Sequence, residues 1–242
     1  MLVLFRIAGL MVSAPLLSSA AIPLRIRAFI ALVLALAVFP LVGQVGTVPN
    51  SLAALAVAAG GEVVLGLLMG FAVSLVFTGI QVGAEMVGQQ MGFSMAQLVD
   101  PLSQITTDVL SQFYLLLATL IFVLMNGHLV LIKSLAHTFQ TVPLLQAPAV
   151  DANLVHSLVS ILADSFILGV RVAGPALVAI FLATAALGFI SRTVPQLNIL
   201  AAGFPVNISL AFILLAASIG VVFTLFHNSI LTVFADLGRL FA

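Results

Sequence analysis

The chain has no cysteine and almost no charge. Without cysteine there are no disulfides, no thiolate metal sites and no cysteine nucleophile. Charged residues make up 6% of the 242 positions, seven basic and seven acidic, where a soluble domain would carry about a quarter. Lys133 is the only lysine, and there is no cluster of Lys and Arg to follow a phosphate backbone, so nucleic-acid binding is disfavoured. Catalytic patterns are missing too: there is no His-Glu-x-x-His and no Gly-x-Ser-x-Gly. The four histidines (His128, His137, His156 and His227) are scattered through the chain, and no second ligand stands three or four residues from His128. His128 reads as a cap or hydrogen-bonding group at a helix break, and Lys133 as a cation that snorkels from an apolar segment. No enzyme, cofactor or metal is expected.

What the chain does have is hydrophobic length. Its composition is 63% hydrophobic and its mean hydropathy is +1.37, so it belongs in a membrane or inside a membrane complex. A spanning helix needs about 20 apolar residues. The candidates are Leu2–Ile22, Ala28–Val45, Val63–Val82, Phe113–Ile132, Leu154–Ile190 and Val206–Phe226. The first has Arg6 and a small-residue stretch, Ser18–Ala21, and reads as a retained membrane segment in preference to a signal peptide. The fifth contains Gly174-Pro175 and is either two short segments or one helix bent at the proline. The expected fold class is an all-α membrane protein, a single domain over 1–242 with six or seven hydrophobic helical segments. The longest polar connections are Gly83–Gln112 and Lys133–Asn153, with Pro101, Pro143 and Pro148 as helix stops. With six spans, Arg25, Arg27 and Arg192 fall on one side and Lys133 and Arg239 on the other. That is no positive-inside bias, and it points to a wrong span count or to a chain positioned by partner proteins.

Gly66, Gly70, Ser74 and Thr78 recur every four residues, which places them on one face of the Val63–Val82 helix, and Gly79/Gly83 and Gly88/Gly92 repeat the spacing. Small residues in this register let helix backbones approach closely, either within one chain or between subunits. Glu62, Asp164 and Arg171 lie in or beside apolar runs, where ionisable groups are expensive. Asp164 and Arg171 are seven residues apart, about 10 Å along a helix axis, too far for direct contact in a straight helix. They read as structural groups fixing register through other elements or chains; a proton relay is the alternative.

The interval Gly83–Pro101 is glycine-rich and methionine-studded. Irregular backbone at membrane depth is tolerated only when it is buried in protein or lines a water-filled cavity. Met86, Met91 and Met95, with Phe93 and Leu98, supply deformable apolar bulk of the kind that closes a pore by excluding water. An ordinary loop packed into a core fits the same residues. Glu85, Asp100 and Asp108 suit its solvated ends.

Four motifs then stand in order along the chain: Pro15 with Ile22-Pro23-x-Arg25; Glu85…Met91-Gly92 with Val99-Asp100-Pro101; Asn126-Gly127-His128; and Arg192-x-x-Pro195-Gln196-x-Asn198…Gly203-Phe204-Pro205. Together they resemble the FliR family, export-gate components of the flagellar type III secretion apparatus, with injectisome counterparts. The resemblance implies a chain that joins FliP-like and FliQ-like membrane subunits in a closed helical assembly with broken, hairpin-like helices. An FlhB-like subunit attaches to it, and unfolded proteins pass through its centre in the bacterial inner membrane at the flagellar basal body. It also implies a plug over Met91, Gly92, Phe93, Ser94, Met95, Ala96, Gln97 and Leu98. Relatives often carry phenylalanine where Met95 and Leu98 stand, so bulk is kept and the ring is lost. The chain starts closer to its first apolar segment than is usual, and a missing or misassigned N-terminus is expected. The competing readings are the injectisome form of the gate, a secondary transporter using Asp164 and Arg171, which would show inverted repeats, and, more distantly, a membrane enzyme.

Overall fold

A computed structural model describes residues 1–19, 21–42, 51–92, 109–145, 152–193 and 199–240. Among these the chain forms seven α-helices: α1 Leu2–Ser13, α2 Leu24–Val38, α3 Leu52–Met91, α4 Val109–Leu124, α5 Gly127–Thr141, α6 Ala152–Thr193 and α7 Ile199–Leu240. A 3-10 turn, Phe39–Leu41, with Pro40 inside it, closes α2. Four helical stretches are long and apolar enough to cross a membrane, and a fifth counts if the bent pair α4–α5 is one span. The chain is therefore an all-α membrane protein with fewer spans than its hydropathy suggested.

Two physical reasons account for the difference. The first apolar run does not make one long helix: α1 ends at Ser13, Ala14 is extended, and Pro15 follows. Three of the four candidate spans, in α3, α6 and α7, are much longer than a bilayer requires. At 1.5 Å per residue, the 42 residues each of α6 and α7 extend about 63 Å, against a hydrocarbon core of about 30 Å. Each of these is one candidate by hydropathy, so the second reason for the lower count is the break in Phe113–Ile132, where α4 and α5 are bent by 65° and make a span only as a pair.

The proline in Leu154–Ile190 does not divide it, because Pro175 lies inside the continuous helix α6. The connection read from Gly83 onward also shortens. Helix α3 runs through Gly83 and Gly88 to Met91, since glycines packed against a neighbouring helix need not end one. Likewise α5 continues through Lys133 to Thr141. Between α4 and α5 the axis turns by 65°. Asn126 takes the left-handed conformation there, with φ +57°, and Gly127 sits under the Phe122 ring, where a Cβ would collide. The Asn-Gly-His motif is thus the sequence of a helix break.

By packing, the helices fall into two compact units. One comprises Met1–Phe77, Phe122–Ala163 and Ser229–Ala242; the other comprises Thr78–Ile121 and Asp164–Asn228. In the first, Ile7, Leu10, Leu65, Met69, Phe122 and Phe139 are among the fully buried side chains, and Phe77 meets Phe122 edge-on at 5.4 Å. In the second, Ile80, Val87, Tyr114, Ala173, Ile180 and Phe226 form the core.

Candidate functional site

The strongest polar feature of the first unit is a buried charge network. Arg6 on α1 has no exposed surface, and Glu62 on α3 is 1% exposed. Arg6 Nε donates to Glu62 Oε2 at 2.7 Å. Its Nη1 donates to the Thr138 carbonyl at 2.9 Å and to Thr138 Oγ1 at 3.1 Å, and Nη2 reaches the Val142 carbonyl at 3.4 Å. The guanidinium also lies over the Phe139 ring, 4.4 Å from its centroid. The second carboxylate oxygen of Glu62 accepts the Leu145 amide at 3.0 Å, just where Leu145 adopts a left-handed φ of +71°. A buried ion pair tolerates removal from water only when its remaining donors and acceptors are satisfied, and here four guanidinium N–H groups and both carboxylate oxygens are hydrogen-bonded. The network ties α1, α3 and the end of α5 into one register.

Sequence reasoning placed Glu62 at an apolar boundary but missed Arg6 as its partner. The available signal was a lone arginine inside the apolar first helix, which has to find a counter-charge when buried. Asp164 and Arg171 behave differently from the expectation of buried groups. On the single chain both are exposed along α6, and neither forms an ion pair with a described residue.

The small-residue positions mark close helix crossings. A Cβ on Gly66 would fall on the Arg6 carbonyl, and one on Gly70 on Ser13, so α1 and α3 approach backbone to backbone. Gly9, not singled out from sequence, faces Gly66 across this crossing. In the second unit, Gly79 and Gly83 pack in the same way against Ser165 and Gly169 of α6. Ser74 is half-buried and Thr78 exposed. A four-residue repeat drifts from the 3.6-residue helical period, so the stripe does not stay on one face. Nine residues, two and a half turns, separate Gly70 from Gly79, and the two glycine pairs therefore mark opposite faces of α3. Gly88 is buried as well.

At the end of α3, Met91 is fully buried and Gly92 leaves the helix with φ +88°. Phe204 packs directly over Gly92, filling the space a Cβ would need. Two separate sequence motifs, Met91-Gly92 and Gly203-Phe204-Pro205, thus meet at one point. Gly203 is buried and Pro205 lies inside α7. Arg192 is exposed near the end of α6. Phe93, Ser94, Met95, Ala96, Gln97 and Leu98, together with Pro195, Gln196 and Asn198, lie outside the described residues. No group of three or more His, Asp or Glu among the described residues could hold a metal ion.

Comparison with known proteins matches residues 1–233 to the model of Bacterial export proteins, family 1. The chain is similar to the flagellar biosynthetic protein FliR of Escherichia coli K12, 32% identical over 214 residues, 88% of this chain and 81% of that protein. It is 30% identical to FliR of Caulobacter vibrioides over 238 residues, 96% of this chain and 94% of that protein. FliR of Bacillus subtilis is 30% identical over 169 residues, 69% of this chain and 65% of that protein.

Proposed function

The chain belongs to family 1 of the bacterial export proteins, and we propose from that membership which part of it does what. It is a component of the flagellar type III protein export gate and works in a membrane with the other parts of the export apparatus. In our reading the whole of 1–242 acts as one export-gate domain. It sits in the inner membrane at the flagellar basal body and joins FliP-like, FliQ-like and FlhB-like subunits around a channel for unfolded flagellar proteins. It does so as a structural part, without catalysis.

The observation that carries the gate assignment is the junction of Gly92 with Phe204. A glycine with a left-handed φ ends a 40-residue helix and is pinned beneath an aromatic ring of a distant motif. Only glycine meets both demands, since a side chain there would be strained in its backbone and would collide with the ring. Gly92 is the last described residue before the segment that we assign to the plug, Phe93–Leu98. Phe93, Met95 and Leu98 supply the deformable apolar bulk that suits a plug closing a channel by excluding water. Asp164 and Arg171, exposed on the single chain, are the groups we assign to pairing with neighbouring subunits, and the glycine crossings hold this subunit's own helices together.

The test is a mild-detergent purification of the tagged chain from its native cells, with relative quantitation of what co-purifies. Small helical membrane proteins in fixed excess over the chain are expected, and their identity separates a flagellar gate from an injectisome one. A lone monomer or homodimer that is stable across detergents would refute the assembly.

A further inference from the structure

Helix α5 carries one polar stripe in a chain that has few: Lys133, Ser134, His137 and Thr138, at positions i, i+1, i+4 and i+5 of the same face. Thr138 is turned inward and committed, its hydroxyl donating to the Leu135 carbonyl at 2.7 Å and accepting from Arg6. All four line a cavity of about 310 Å³ whose remaining walls are Met69, Leu237 and Gly238. All seven lining residues belong to the first compact unit. We propose that this cavity holds the phosphate headgroup of an anionic phospholipid.

Three observations support it. First, the donors are free. Among the described residues, neither the Lys133 ammonium nor the His137 imidazole has a hydrogen-bond or ion-pair partner. Second, the local charge is positive and uncompensated. No carboxylate lines the cavity, and the neighbouring acid on α7, Asp236, is engaged by Arg239 at 3.6 Å. A zwitterionic headgroup would bring its own cation to a site with a lysine and no carboxylate to pair with it, whereas an anionic headgroup brings only what the ammonium, hydroxyl and imidazole can bind. Third, Met69 and Leu237 give the cavity an apolar side. A free phosphate has no use for that wall, while a lipid carries glycerol and acyl carbons next to its phosphate. Lys133 is therefore more than a snorkelling cation: it lines a pocket of small-ligand size.

The test titrates the full chain, purified with its complex in mild detergent, with fluorescent phosphatidylglycerol. Unlabelled phosphatidylglycerol, phosphatidylcholine and inorganic phosphate are the competitors. Unlabelled phosphatidylglycerol should displace the probe far better than either of the others. Lys133→Gln should weaken binding about fivefold, the worth of one basic residue at an anionic lipid surface, and Lys133→Arg should recover most of it. Gly238→Leu adds bulk to a lining residue at a position where a Cβ meets nothing within 4 Å, leaves the charges in place, and should weaken binding too. Wild-type affinity in both Lys133→Gln and Gly238→Leu would overturn the proposal. So would displacement by inorganic phosphate as effective as by phosphatidylglycerol, which would make this a soluble-anion site. Equal displacement by phosphatidylcholine would reduce it to unselective apolar binding. The readout is binding and not export, so it stands or falls separately from the gate assignment.

Discussion

Arg6 and Glu62 in one compact unit, and Asp164 and Arg171 in the other, are all ionisable residues set in apolar helices, yet they meet opposite fates. The first pair is buried and hydrogen-bonded within the chain. The second pair is left exposed on α6 without a partner among the described residues. The glycines divide the same way. Gly9, Gly66, Gly79 and Gly83 are pressed against backbone, whereas Gly174, Gly188 and Gly220 have nothing within 4 Å of a Cβ. A residue that looks costly or permissive in sequence is thus either used up in the chain's own packing or left available for assembly. Its spacing in sequence does not say which.

The largest effect is expected at the charge network. Arg6→Ala or Glu62→Ala leaves an uncompensated buried charge and should cost about 3–5 kcal/mol, seen as a lower melting temperature of the purified chain. The double replacement Arg6→Met with Glu62→Leu should cost much less than either truncation, because no charge is stranded. If the single and double variants melted alike, the network would not be the lock of its unit.

A smaller effect separates the two kinds of glycine. Gly83→Val drives side-chain atoms into the Gly169 backbone and should destabilise by about 1–3 kcal/mol or more. Gly188→Val enters open space and should leave the melting of the isolated chain within about 1 kcal/mol of wild type, while reducing recovery of the assembled complex. Equal destabilisation by both would erase the distinction.

Smallest on the chain, but decisive for assembly, are Asp164→Asn and Arg171→Gln. As exposed substitutions they should change stability by no more than about 0.5 kcal/mol. Each should nonetheless lower the yield of co-purifying subunits. An unchanged complex would remove these two residues from the interface.

Much of this was legible in advance. The hydropathy gave an all-helical membrane chain, and the spacing of Gly66/Gly70 and Gly79/Gly83 pointed to close crossings that the helices do make. What was not legible depended on distance along the chain. Arg6 and Glu62 are 56 residues apart, and nothing local pairs them. Ser165, Gly169 and Ala173 do form a small-residue run at four-residue spacing, but nothing local says that it pairs with Gly79 and Gly83. The helix through Gly83–Met91 was misread as loop because glycine lowers helix propensity in isolation, a cost that tertiary packing outweighs here. Asp164 and Arg171 looked buried because hydropathy windows register apolar neighbours along the chain and not the neighbours across a helix face.

The gate itself is tested most directly by conductance. The closed complex would be reconstituted in planar bilayers with Met95→Gly and Leu98→Gly in this chain, and its ion leakage compared with that of the wild-type complex. If the segment rooted at Gly92 closes the channel, the variant leaks more while its subunit composition is unchanged. A variant complex as tight as wild type would contradict the assignment of these residues to closure.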